Sequence, residues 1–310
     1  MRRSIGLFLV ALLPLAACSG QADDGEGAGN TRTVQHVKGE TQIPAAPQRV
    51  VTLWAPTLSA MVALDEPPVG YAFNEEPIHG VDVPEGYDIG QMKHVGHSQE
   101  LDLEKVAGVS PDLIIATDLH EEVYDQLSGI APTVVLRWPG SSGWKQHLTD
   151  VAEVLQLRDK ADEAVAEYDA RVAEVAEAVG DPGGTEVSVV RFHTEELRLE
   201  VRNSFAGQIV ADVGFSRPAA QDVAEEGSGF VPISLERLPE ADGDAMFAYT
   251  IADGDEDKPN LLERARQNPL WGNLEAVRND QVHPVDYKTW IANNYIAAQA
   301  VLDDLEEAFE

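Results

Sequence analysis

The sequence predicts an α/β protein: two lobes with mainly parallel sheets, joined by one long rigid α-helix. Three observations carry that expectation. Short apolar runs such as Leu113-Ile114-Ile115-Ala116 recur with helical patterns between them, the spacing of βα units. Residues 158–179 contain no Pro or Gly, and Ala161, Val165, Tyr168, Val172, Val175 and Val179 repeat at spacings of four and three, one face of a helix. A second set of apolar runs follows that helix.

In chain order, Arg49-Val50-Val51-Thr52-Leu53 reads as a buried strand, residues 57–64 as a short helix and Val69-Gly70-Tyr71 as a second strand. Residues 102–107 are helical and lead into Ser110-Pro111, before a strand at 112–116. A helical stretch at 124–127 and the strand Thr133-Val134-Val135-Leu136 complete a first lobe, residues 33–150. The bridge is assigned to residues 151–182; its periodic part forms a rod of roughly 35 Å at 1.5 Å per residue. Gly180, Pro182, Gly183 and Gly184 stop it. The second lobe, residues 183–310, opens on Val187-Ser188-Val189-Val190-Arg191-Phe192 and a strand at 197–201. A helix at 205–213, strands at 244–249 and 281–285, and a terminal helix at 290–309 follow.

The chain has 310 residues, 44% hydrophobic and 25% charged, enough for about two ordinary domains. Its 54 acidic and 22 basic residues, a formal charge of −32, argue against nucleic-acid binding and against docking on anionic lipid headgroups. A single cysteine excludes an intrachain disulfide and a thiolate zinc cluster. Met1-Arg2-Arg3 is a positive start, and residues 5–17 are uncharged and mostly apolar. That run is too short for a bilayer core, which needs about 20 helical residues, but has the length of a secretory leader. It ends in Leu15-Ala16-Ala17-Cys18, which resembles the lipobox of bacterial lipoproteins, where the cysteine is acylated. Residues 1–17 are thus expected to be a signal peptide and residues 18–32, polar and Gly-rich, a flexible tether. The expected product is an extracytoplasmic protein held to the cell membrane by acylated Cys18.

Ordered blocks then match a known pattern. They are Ile43-Pro44-Ala45-Ala46-Pro47-Gln48-Arg49-Val50-Val51, Leu103-Glu104-Lys105-Val106 with Ser110-Pro111-Asp112-Leu113-Ile114-Ile115, and Ile130-Ala131-Pro132-Thr133. In the second lobe they are Asn203-Ser204-Phe205-Ala206-Gly207 with Val213-Gly214-Phe215-Ser216-Arg217-Pro218, Ile233-Ser234-Leu235-Glu236-Arg237-Leu238, and Asn268-Pro269-Leu270-Trp271. Over residues 33–309 the chain resembles the iron-siderophore substrate-binding lipoproteins of ABC importers, whose wider class includes cobalamin and haem binders. The resemblance implies a ligand cleft between the lobes, a ferric siderophore as ligand, no cofactor, and delivery to a permease dimer.

A cleft of this kind needs aromatic walls and a few polar anchors beyond the carboxyl ends of the strands. Trp54 and Trp138 lie just past a strand, Tyr249 ends one and Trp290 opens the last helix; each ring either caps the core or touches ligand. Trp271, in Pro-Leu-Trp-Gly-Asn-Leu, reads as packing. Arg191 interrupts an apolar strand and needs a partner, because an unpaired buried charge is costly. That partner is either a nearby carboxylate or the ligand; the resemblance favours the ligand. Arg137 and Arg202 are further anchor candidates, and Arg198 is another cation of the same stretch. Glu104 and Glu236 each open a short helix, which the helix dipole alone explains. In the family, the glutamates of these blocks face solvent and pair with arginines of the permease, one per lobe.

Other chemistries lack their residues. Asp253-Gly254-Asp255-Glu256-Asp257 alternates like a calcium loop, but Lys258 replaces the required Gly and Arg264 the final Glu. His79, His94, His97 and Glu100 lie in a polar stretch without a regular metal-ligand pattern. No Gly-x-Ser-x-Gly elbow, phosphate-cradling Gly loop or His-Glu-x-x-His helix is present, so a binding protein is expected and not an enzyme. Removing residues 1–17 takes away Arg2 and Arg3 and no acid, leaving −34. With few arginines near strand ends, a neutral or cationic hydroxamate complex is favoured over a multiply anionic catecholate.

Overall fold

The computed structural model describes residues 30–74, 83–84, 87–194, 196–225, 227, 229–251 and 260–309. The leader with Cys18, nearly all of the tether, His79 and the acidic run at 253–257 lie outside the described residues.

The chain enters through a hairpin, β1 (Thr31–His36) and β2 (Gly39–Pro44), paired from Thr31↔Pro44 to His36↔Gly39. Its strands carry polar residues on both faces, so no apolar alternation announced them, and residues 31–32 belong to β1 where a tether was expected. The first-lobe sheet contains β3 (Val50–Thr52), β4 (Gly70–Tyr71), β5 (Lys93–His94), β8 (Leu113–Thr117) and β9 (Thr133–Leu136), all parallel, in the order β5-β4-β3-β8-β9. β3, β8 and β9 are buried along their whole length, as expected of apolar strands covered on both faces. A small antiparallel pair, β6 (Gly96–His97) and β7 (Glu100–Leu101), precedes α2 (Leu103–Gly108), whose first turn is capped by the Asp102 carboxylate accepting from Lys105 N at 3.0 Å. The other helices of this lobe are α1 (Ala55–Ala63), α3 (Tyr124–Ser128) and α4 (Trp144–Leu155).

The long helix is α5 (Arg158–Val179). Residues 151–155, assigned to the bridge from sequence, form the end of α4. Gln156 in the left-handed region (φ 60°) closes that helix before α5 begins.

The second lobe holds β10 (Val187–Phe192), β11 (Leu197–Glu200), α6 (Phe205–Val213), β12 (Phe230–Ile233), β13 (Ala245–Thr250), α7 (Leu261–Arg266), α8 (Glu275–Arg278), β14 (Val282–Pro284), α9 (Tyr287–Ile291) and α10 (Tyr295–Phe309). Its sheet runs β12-β11-β10-β13-β14. β10, β13 and β14 are parallel, whereas β10-β11-β12 is an antiparallel meander, so this sheet is mixed. The terminal helix expected over 290–309 is two helices. Asn293 takes φ 60°, and the Asn294 side-chain oxygen accepts from Ala297 N at 2.8 Å, starting α10 afresh.

One apolar core crosses from lobe to lobe. Trp144 of α4 meets Tyr168 of α5, Phe205 of α6 and Tyr295 of α10, with ring centroids 5.5, 5.2 and 4.8 Å away. The Tyr168 hydroxyl donates to Asp212 Oδ2 at 2.6 Å, and Lys145 pairs with the same carboxylate while lying over the rings of Trp144 and Tyr168. Fully burying a large apolar side chain is worth about 1.5–3 kcal/mol, so this four-ring contact fastens the lobes through the long helix.

Candidate interlobe binding site

In each lobe the carboxyl ends of the parallel strands present a distinct cluster. In the first, Trp54 directly follows the turn out of β3 and caps α1 with extended backbone, while Trp138 lies two residues past β9. Their rings meet edge to face at 6.1 Å. The Trp138 N–H donates to Asp118 Oδ1 at 3.1 Å, tying the end of β9 to the end of β8. Behind them stands His147 of α4, buried, edge to face against Trp138 at 5.1 Å and hydrogen-bonded through Nε2 to Thr57 Oγ1 at 2.9 Å. Burial lowers the His147 pKa to about 4, so the ring is neutral at pH 7. The Trp54 indole N–H is buried without a partner among the described residues.

In the second lobe, Arg191 of β10 is the register partner of Tyr249 on β13. Arg191 Nε and Nη2 both donate to Glu200 Oε1, the former at 2.8 Å. The guanidinium lies 5.3 Å from the Phe230 ring centre and 5.9 Å from that of Tyr249. Arg198, opposite Arg191 in the β10–β11 ladder, stacks on Phe230 at 4.3 Å and bonds to Glu196 at 2.9 Å. Two cations facing each other across a ladder repel, and here each has its own carboxylate. Burial, then the charge of Glu200, push the Tyr249 phenol well above its ordinary pKa. Deeper still, Arg217 donates to the Glu200 backbone oxygen at 2.7 Å and to Gln221 Oε1; burial pulls its pKa down to about 10, which leaves it charged at pH 7.

The loop after β9 reaches across to the second lobe. A Cβ on Gly140 would stand 3.9 Å from the Gly227 carbonyl oxygen, and Gln208 Nε2 donates to the Ser141 carbonyl at 2.9 Å. Trp138 is two residues before Gly140 and Phe230 three after Gly227.

The structure therefore groups Trp54 with Trp138, and Arg191 with Tyr249, although Tyr249 is only 1% exposed and reaches the site through Arg191. It sets three other candidates apart. Trp290 is buried in the core, stacked on Phe247 at 4.9 Å with its N–H on Asp304 Oδ2 at 2.7 Å, because α9 packs beneath the sheet. Arg137 alternates with Trp138 and so lines the opposite side of β9, in a hollow with Arg32, His36, Asp150 and Glu153. Arg202 is an exposed residue paired with Asp222 at 2.7 Å. Glu104 on α2 and Glu236 on the turn Leu235–Ala241 are both exposed, and a Ser234 hydrogen bond lowers the Glu236 pKa. His94 and His97 pack edge to face at 5.9 Å, and no group of three or more His, Cys, Asp or Glu suited to a metal occurs among the described residues.

Sequence reasoning missed His147, Glu200, Phe230 and Arg217. The signals were the apolar face of α4 and an acid closing the alternation Leu197-Arg198-Leu199-Glu200.

Comparison with known proteins gives consistent matches. A probable siderophore-binding lipoprotein of Bacillus subtilis, YfiY, is 34% identical over 98% of this chain and 96% of its own. The Fe(3+)-citrate-binding protein YfmC of the same organism is 29% identical over 92% and 89%. The crystal structure of Staphylococcus aureus SirA complexed with staphyloferrin B superposes with a TM-score of 0.75 at 29% identity, covering 90% of this chain and 98% of that one. Residues 65–287 match the family described as periplasmic binding protein, and with that match and the YfiY relationship the chain belongs to the periplasmic binding proteins.

Proposed function

We propose that this protein captures a ferric siderophore outside the cytoplasm and delivers it to an ABC permease. The observation that carries this is an aromatic pair, Trp54–Trp138, at the strand ends of one lobe and a guanidinium cluster, Arg191–Phe230–Tyr249, at those of the other. Flat rings and a planar guanidinium suit the organic rim and oxygen face of an iron chelate, which arrives with its metal already coordinated. YfiY and SirA, with the likenesses given above, support the same ligand class. Nothing in the site asks for catalysis; binding and release suffice.

Pairing of Arg191 and Arg198 with Glu200 and Glu196 offsets the charge of the second-lobe wall. That balance supports a hydroxamate complex over a multiply charged one. Acylated Cys18 would hold the protein to the membrane, and exposed Glu104 and Glu236 would meet the permease, one per lobe.

Two tryptophans in the site provide the assay. Titration with ferrichrome, ferric citrate, haem and cobalamin is expected to quench intrinsic fluorescence saturably with the ferric chelates, ferrichrome most tightly. Saturable quenching by haem or cobalamin alone, or by none of the four, would sink the proposal.

A further inference from the structure

We infer that Glu200 acts as a charge filter, setting the preference of this site for iron chelates of low charge. The inference rests on the siderophore reading above and assigns a specificity-determining role to a residue that no ligand needs to touch. Glu200 closes β11 with 3% of its surface exposed, and Arg191 stands between it and the open site with its side chain 14% exposed. Both Arg191 N–H groups on one edge of the guanidinium, Nε and Nη2, go to the single oxygen Oε1. Of the five guanidinium N–H donors, three remain for the Tyr249 hydroxyl beside it and for a ligand oxygen. Stacking against Phe230 and Tyr249 holds that plane in place, so Arg191 cannot swing toward an incoming anion without leaving both rings.

The consequence is electrostatic. A neutral hydroxamate oxygen can accept from the remaining Arg191 N–H groups while the ion pair stays intact. A carboxylate-rich or catecholate complex meets the same donors with the fixed negative charge of Glu200 directly behind them. In a region of reduced dielectric that charge offsets much of the attraction. Arg217 is a second buried cation, its Nη2 held by the Glu200 backbone oxygen and Gln221, so Glu200 offsets two guanidinia and its loss would leave both without that charge.

The test is a selectivity ratio, which a purely structural role for Glu200 would leave unmoved. The ratio of the ferric citrate Kd to the ferrichrome Kd is measured by fluorescence for the wild type, Glu200→Gln, and the doubly neutral Arg191→Gln/Glu200→Gln. Glu200→Gln is expected to lower the ratio by about tenfold, and the double variant to return it toward the wild-type value while weakening both ligands. Glu196→Gln releases Arg198 on the same wall, with a carboxylate side chain that is 40% exposed, so folding is not at stake. It should shift the ratio in the same direction by about threefold. If Glu200→Gln proves unfolded by circular dichroism, this variant decides. A ratio unchanged in the folded variants overturns the filter while leaving siderophore binding in place. Absence of wild-type binding to either chelate overturns the function and the filter together.

Discussion

His147 shows how one buried side chain supports a binding surface and exposes the protein to acid. Its ring buttresses Trp138, its Nε2 is shared with Thr57, and its Nδ1 has no partner among the described residues, so a proton there would create a buried, uncompensated cation. The folded pKa of about 4 lies below the unfolded value of about 6.5. Between those values the unfolded chain binds more protons, so stability is complete above pH 6.5 and declines as the pH falls toward 4. The loss is on the order of 3 kcal/mol. Burial lowers His120 as well and adds to the same slope. His147→Gln keeps an acceptor for Thr57 without the titration, and should flatten the decline in Tm between pH 6.5 and 4. Equal slopes for variant and wild type would refute this. At the same scale, Arg191 was visible in the sequence because a cation interrupts an apolar strand. Its partner was not, since Glu200 meets it only through the β10–β11 hairpin. Trp54, just past a strand, and Trp290, expected to open the last helix, were both candidates in sequence; packing on Phe247 and Asp304 puts Trp290 in the core.

At the scale of elements, α5 was legible because its apolar face repeats without interruption over 22 residues. The mixed sheet of the second lobe was not, because strand direction depends on connections that β-propensity does not encode. The β1–β2 hairpin and the break at Asn293 escaped for local reasons: two polar strand faces in one case, a pair of asparagines inside an otherwise helical pattern in the other. What α5 does for the molecule depends on its neighbours. Tyr168 joins Asp212 of α6, Lys145 of α4 joins the same carboxylate, and Trp144 fills the space between them. Lobes joined this way are expected to move little, so small-angle scattering should show only modest compaction when a chelate binds. Asp212→Asn removes the charge shared by Lys145 and Tyr168. With Asp212 and Lys145 each about one-third exposed, the cost is about 1 kcal/mol, a drop in Tm of about 2–4 °C, with faster amide exchange in α4 and α6. Large ligand-induced compaction of the wild type, or an unchanged Tm in the variant, would contradict this view of the seam.

For the molecule as a whole, the question is how so acidic a protein finds partners. With 54 acidic residues against 22 basic ones, the protein carries a net charge that anionic lipid repels. The same excess supplies internal partners for many of the cations, Arg171 with Asp303 and Glu306 among them. On the proposed delivery to a permease, such a charge would suit a face rich in arginine, approached by steering that weakens with salt. Glu104 and Glu236, the proposed contacts, are exposed at the start of a short helical turn in each lobe. Capture, docking and tethering should therefore separate cleanly by mutation. Glu104→Arg/Glu236→Arg should keep the ferrichrome affinity of the wild type and lose iron-chelate uptake in cells by about tenfold or more, since two attractive contacts become repulsive. Cys18→Ala should also bind normally, but leave the membrane fraction and lose uptake through dilution. Because binding and transport are read independently, each role can fail alone. Normal uptake in the double glutamate variant would remove these residues from the permease contact, and a membrane-bound Cys18→Ala protein would remove the lipid anchor.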